Sequence, residues 1–134
     1  MRILVADDQP RVKYAMRVLL ETQPGVKVVG EAMDVQSLLA ETKANRPDLV
    51  LLDWELPGLA MVDSLSALRQ TCPDLRVVAL SVRPEARQAA LLAGVDAFVS
   101  KMEPPDRLLA LIDRALSATR LRSPAKRENG KNRF

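Results

Sequence analysis

Five short apolar runs alternate with five segments of helical periodicity along the whole chain, and few folds accept that order. The runs are Arg2 to Ala6, Val26 to Glu31, Asp48 to Asp53, Leu75 to Ser81 and Asp96 to Val99. Between and after them, apolar residues recur every three or four positions. Val12, Ala15, Met16, Leu19 and Leu20 predict a first helix that opens at Pro10 and ends near Pro24-Gly25. Asp34 is placed to cap a second helix carrying Leu38 and Leu39, which must stop before Pro47. Val62, Leu65 and Leu68 mark a third that ends by Pro73. A fourth runs from Pro84 to Ala93 with Gly94 as its left-handed terminator, and Pro104-Pro105 opens a fifth with Leu108, Leu109, Ile112, Ala115 and Leu116 on one face. Strand-helix alternation predicts an α/β fold of (βα)5 form, a doubly wound parallel five-stranded sheet with helices on both faces. The second run alternates and belongs near an edge, whereas Leu49-Val50-Leu51-Leu52 is apolar throughout and reads as a strand buried on both sides.

In a parallel sheet all carboxyl ends lie along one edge, where open α/β sheets place their ligands. That edge gathers Asp7-Asp8, Asp53, Ser81 and Lys101. Asp53 by itself can be a capping residue for the Leu56-Pro57-Gly58 turn. With the others it forms a set of three carboxylates, a hydroxyl and an ammonium. Crowded carboxylates repel, and a divalent cation or a raised pKa relieves them; oxygen ligands favour Mg²⁺. Such a set suits phosphoryl attack by Asp53, with Ser81 and Lys101 donating to the oxygens that gather charge.

Other chemistry is excluded by composition. The chain has no histidine and one cysteine, Cys72, so it offers no Cys/His zinc site, no histidine-based nucleophilic pair and no internal disulfide. No apolar run approaches the roughly 20 residues that span a bilayer, and Asp7-Asp8 interrupts the amino-terminal run too early for a signal peptide, so a cytoplasmic protein without membrane contact is expected. The net charge of +3 is unevenly distributed. From Arg120 onward six basic residues face one acid, which leaves fourteen basic against sixteen acidic in the body. Residues 122–134 read as a basic flexible tail or linker, and 1–121 as one domain. Nucleic-acid binding by this chain alone is therefore not expected.

Four motifs stand in order: Ile3-Leu4-Val5-Ala6-Asp7-Asp8, Leu51-Leu52-Asp53-Trp54-Glu55-Leu56-Pro57-Gly58, Leu80-Ser81, and Ala93-Gly94-Val95-Asp96-Ala97-Phe98-Val99-Ser100-Lys101. Together they resemble the receiver domain of response regulators in two-component signalling, in the style of the subfamily with a C-terminal helix-turn-helix reader. The resemblance covers Met1 to about Leu121 and implies a flavodoxin-like sheet of strand order 2-1-3-4-5. It further implies that Asp53 is the phosphoacceptor, that Asp7, Asp8, Asp53 and the backbone carbonyl of Glu55 hold Mg²⁺, and that Lys101 binds phosphate. Ser81 and Phe98 correspond to the switch pair that relays the change to the surface of the fourth helix, fifth strand and fifth helix. The implied partners are a sensor histidine kinase or phosphotransfer protein and a downstream protein or a DNA-binding domain absent from this chain, with a homodimer possible. The resemblance implies no enzyme beyond its own phosphoryl transfer and autodephosphorylation. The alternative is an interaction module of the same fold that works without phosphate. A hydrolase of the haloacid dehalogenase type would need Asp-x-Asp where Asp53-Trp54-Glu55 stands.

Two departures from the family pattern and one charged pair bear on the site. Met102 follows Lys101 where proline is usual, which predicts either a trans Lys101-Met102 bond or a strained one. Val82 follows Ser81 where a smaller residue is usual and should narrow the approach to the site. Glu55 and Arg83, two residues beyond Asp53 and Ser81, are placed to pair across the mouth and slow dephosphorylation. Trp54 and Cys72 are expected to be structural.

Overall fold

A computed structural model describes residues 1–59 and 63–121. Five parallel strands, β1 (Arg2–Ala6), β2 (Lys27–Ala32), β3 (Leu49–Asp53), β4 (Arg76–Ser81) and β5 (Ala97–Ser100), form one sheet in the order β2-β1-β3-β4-β5. The helices are α1 (Pro10–Leu20), α2 (Val35–Asn45), α3 (Ser64–Thr71), α4 (Arg87–Ala93) and α5 (Pro105–Leu121). This is the doubly wound (βα)5 sheet expected from the alternation, in the flavodoxin-like order that the resemblance implies. The alternating strand is at an edge and the wholly apolar one is central.

The pleat divides the core into two layers. Leu4, Ala6, Val50, Leu52, Val77, Ala79 and Phe98 point to one side, where they meet Val35 and Leu38 of α2, Leu68 of α3 and Ala90 of α4. Their strand neighbours Ile3, Val5, Leu49, Leu51, Val78, Leu80 and Val99 point to the other, against Leu20 of α1 and Leu108, Leu111 and Ile112 of α5. Each buried leucine or isoleucine contributes about 1.5–3 kcal/mol by leaving water. The all-apolar β3 thus sits where both faces are covered. Its register sets Asp53 opposite Leu80, and β5 sets Ser100 opposite Ser81, so the polar residues begin together at one edge.

Local signals act as anticipated at two helix ends. Asp34 Oδ1 accepts from the backbone N–H of Ser37 at 2.7 Å while Ser37 Oγ accepts from Asp34 N–H, closing a capping box on α2. Gly94 ends α4 at φ 110°, a left-handed conformation that a side chain would strain.

Elsewhere the boundaries shift. α1 stops at Leu20, short of Pro24-Gly25, because the Thr22 hydroxyl takes the Leu19 carbonyl at 2.6 Å and Gln23 N–H takes that of Leu20. The expected single helix from Pro84 is a 3-10 turn, Pro84–Ala86, followed by α4; Ala86 N–H bonds Arg83 carbonyl three residues back. β5 begins at Ala97, one residue later than expected: Asp96 N–H donates to Val77 carbonyl at 2.8 Å, but Val77 N–H is taken by the Asp96 carboxylate, which also accepts from Arg69 of α3, each at 2.8 Å. Val62, the expected first marker of α3, and the basic segment 122–134 lie outside the described residues. Cys72 is buried, and Trp54 is partly buried against the layer formed with α2, α3 and α4. No helix among the described residues is long and apolar enough to cross a membrane.

Candidate functional site

β1 and β3 are adjacent, so Asp7, just past the end of β1, and Asp53, at the end of β3, arrive side by side with Asp8. Carboxylate oxygens of Asp7, Asp8 and Asp53 all lie within 4.8 Å of one another, with Asp7 and Asp53 buried and Asp8 exposed. Asp7 is held by two backbone bonds: its own N–H donates to Ala32 carbonyl and its Oδ1 accepts from Gln9 N–H, both at 2.9 Å. Asp53 Oδ1 accepts from Glu55 N–H at 3.0 Å, so the turn after β3 folds back on the carboxylate that ends the strand.

Lys101 enters from the end of β5. Its backbone N–H donates to Ser81 carbonyl at 2.8 Å, and its Nζ donates to Asp7 Oδ2 at 2.7 Å and stands 3.6 Å from Asp53 Oδ1. The ammonium therefore bridges two of the three acids and favours Asp7. The bond to Met102 is trans, and Met102 N–H donates to Ser100 Oγ at 3.1 Å, which closes the loop without proline. Met102 itself is exposed.

The electrostatics follow from burial and neighbours. Burial raises the Asp53 pKa above the usual carboxylate value; the Glu55 N–H bond and Lys101 oppose this, and the charges of Asp7 and Glu55 add to it. For Lys101, burial works against the ammonium, but the hydrogen bond to Asp7 and the negative charges of Asp53 and Asp7 outweigh it and raise the pKa. Counting Glu55 and Arg83 at the rim, four carboxylates face two cations. A cluster of three oxygen donors with that charge imbalance, one of them open to solvent, fits a hard divalent cation.

Ser81 is fully buried at the end of β4, and its hydroxyl donates to the Glu55 carboxylate, 3.0 Å from Oε1 and 2.9 Å from Oε2. Arg83 N–H donates to Ser81 Oγ at 3.0 Å, and the Arg83 guanidinium lies 3.4 Å from Glu55 Oε2. The expected pairing of Glu55 with Arg83 is present, but Glu55 also reaches Ser81, a contact that spacing alone does not reveal. Spacing places Glu55 and Arg83 at one rim; it does not say which donor a flexible carboxylate takes. Phe98 is 3% exposed and points into the core layer under α2, α3 and α4. Val82 is half exposed beside the site.

The family model described as "Response regulator receiver domain" matches residues 3–113. The nitrate/nitrite response regulator protein NarL of Escherichia coli (strain K12) is 36% identical over 112 residues, which are 81% of this chain and 52% of that protein. The nitrate/nitrite response regulator protein NarP of the same strain is 32% identical over 113 residues, 83% of this chain and 53% of NarP. Among solved structures, a LuxR-family two-component response regulator from Aurantimonas sp. SI85-9A1 superposes with a TM-score of 0.78 at 29% identity, covering 95% of this chain and 92% of that one. The chain spans about half the length of the curated relatives it matches.

Proposed function

The chain belongs to the response regulator receiver domain family, and on that premise we propose that it is a signalling switch in which Asp53 accepts a phosphoryl group from a sensor histidine kinase or phosphotransfer protein. The observation that carries this reading is the convergence of Asp7, Asp8 and Asp53 oxygens within 4.8 Å, with Lys101 Nζ 3.6 Å from Asp53. In the transfer, an Asp53 oxygen attacks phosphorus, the P–O bond forms as the P–N bond to the donor histidine breaks, and the imidazole leaves with the electron pair. Lys101 and the Ser81 hydroxyl donate to the phosphoryl oxygens, where negative charge accumulates. Asp7, Asp8, Asp53 and the Glu55 backbone carbonyl are the groups that would hold Mg²⁺. When bound there, the ion offsets the charge shared by carboxylates and phosphoryl group.

Phosphorylation adds roughly −1.5 to −2 charges at Asp53. Ser81 turns toward the new oxygens, the already buried Phe98 repacks behind it, and the surface formed by α4, β5 and α5 changes. On that surface and its approach Val82, Leu91 and Leu92 are exposed apolar residues, which suits a protein contact. The output is a downstream protein, a second copy of this chain or a DNA-binding domain; the relatives' naming as response regulators, and the half of their length that this chain does not span, support the last. Autodephosphorylation ends the signal, and the Glu55–Arg83 pair slows it by shielding the acyl phosphate from water.

Incubation with Mg²⁺ and acetyl phosphate should raise the intact mass of the protein by one phosphoryl group, and Asp53→Asn should abolish the gain. Labelling of Asp53→Asn to the same extent as wild type, or no labelling of either, would remove the reading.

A further inference from the structure

We infer that Glu55 is a positioning residue that holds the Ser81 hydroxyl away from its phosphoryl ligand until phosphorylation displaces it. This rests on the reading of Asp53 as phosphoacceptor and concerns how readily that site adopts its anion-bound form.

A serine hydroxyl has one proton. In Ser81 that proton is directed between the two Glu55 oxygens at 3.0 and 2.9 Å, while the oxygen accepts from Arg83 N–H at 3.0 Å. Both functions of a fully buried hydroxyl are thus committed. Glu55 is held from two further directions: its N–H donates to Asp53 Oδ1, and its outer oxygen Oε2 faces the Arg83 guanidinium at 3.4 Å. Ser81, Glu55 and Arg83 close a ring, and Glu55 ties the ring to Asp53. A tetrahedral anion on Asp53 needs the same Ser81 proton, so the Glu55 carboxylate occupies that donor as a resident competitor. The anion binds with an affinity reduced by the fraction of molecules in which Ser81 is released.

A hydrogen bond to a charged group corresponds to roughly ten- to a hundred-fold in an equilibrium constant. The Glu55 side chain is 35% exposed and that of Arg83 56%, so water competes with both. The competition is therefore expected to weaken anion binding by about three- to ten-fold.

The probe is beryllofluoride in the presence of Mg²⁺, titrated into the full chain and followed by the fluorescence of Trp54, the single tryptophan and the neighbour of Asp53. Glu55→Ala should bind about three- to ten-fold more tightly than wild type. Glu55→Gln keeps a neutral acceptor for Ser81 and should gain less. In the Ser81→Ala background, Glu55→Ala should gain nothing, because no hydroxyl remains to be released. Two results overturn the inference: an unchanged affinity in Glu55→Ala, or a gain that persists undiminished in Ser81→Ala, which would mean that Glu55 acts only by repelling the anion. A gain in Glu55→Gln equal to that in Glu55→Ala would likewise indicate charge rather than hydrogen bonding and overturn it. Should Ser81→Ala fail to fold, the comparison of Glu55→Ala with Glu55→Gln decides alone, by the same criterion. A wild-type chain with no Asp53-dependent response would instead remove the phosphoacceptor reading itself.

Discussion

Replacing Asp96 by alanine should destabilise the domain more than any change at its surface. The Asp96 carboxylate is completely buried at the head of β5, where it accepts from the Arg69 guanidinium of α3 and from Val77 N–H of β4, each at 2.8 Å. Arg69 also donates to Gly94 carbonyl at 2.7 Å, so one ion pair joins α3, β4 and the turn between α4 and β5. Removing one member of a buried pair costs about 3–5 kcal/mol because the other charge stays behind without compensation. Arg69 is 23% exposed, which lets water take over part of its solvation, whereas Val77 N–H lies in the sheet and loses its acceptor. The net expectation is a loss of about 2–4 kcal/mol, or roughly 10 °C in Tm for a domain of this size. Urea unfolding followed by circular dichroism and by Trp54 fluorescence measures it. Asp96→Asn, which keeps an acceptor for Val77, should fall between wild type and Asp96→Ala. Adding Arg69→Ala to Asp96→Ala should cost less than the sum of the two single losses, since the stranded charge is then gone. A loss below about 1 kcal/mol in Asp96→Ala at unchanged m value would refute the claim that this pair joins the three elements.

Gly30→Ala should cost about 1–3 kcal/mol by overpacking, because its new Cβ would stand 2.9 Å from Leu4 Cδ1 in the rigid core and 2.7 Å from Glu41 Oε1; an equal Tm would contradict this. Burial raises the Cys72 pKa, although Arg46 opposes it, so the folded chain binds that proton more tightly than the unfolded one. The Cys72 contribution is present below the unfolded thiol pKa and is lost as pH rises through the folded one, and iodoacetamide labelling of the native protein should stay slow until urea unfolds it. Asp34 has the opposite sign: bonds from Ser37 lower its pKa, so its stabilisation is present above the unfolded carboxylate pKa and is lost as pH falls through the folded value. Asp34→Ala should flatten the acid limb of a Tm against pH curve. Arg83→Ala should shorten the lifetime of the phosphorylated chain, and an unchanged lifetime would count against shielding by the Glu55–Arg83 pair.

The alternation of five apolar runs with five helical patterns is enough to determine a doubly wound parallel sheet, because hydrophobic period and burial are properties of short segments. For the same reason Asp34 and Gly94 act at the predicted helix ends: capping and left-handed φ depend on atoms within a few residues. The meeting of Asp7, Asp8, Asp53, Ser81 and Lys101 at one edge also follows from topology, since every strand of such a sheet ends there. The tertiary structure alone decided which partner each charged group takes. Lys101 chooses Asp7 over Asp53 across 94 residues of chain, Glu55 leans onto Ser81, and the Asp96 carboxylate takes both Arg69 and Val77 N–H. Long side chains reach several partners of the right charge. The choice among them is set by distances of an ångström or less and by which carboxylate the packed core has stripped of water, quantities that exist only once the five strands have closed over the two layers of the core.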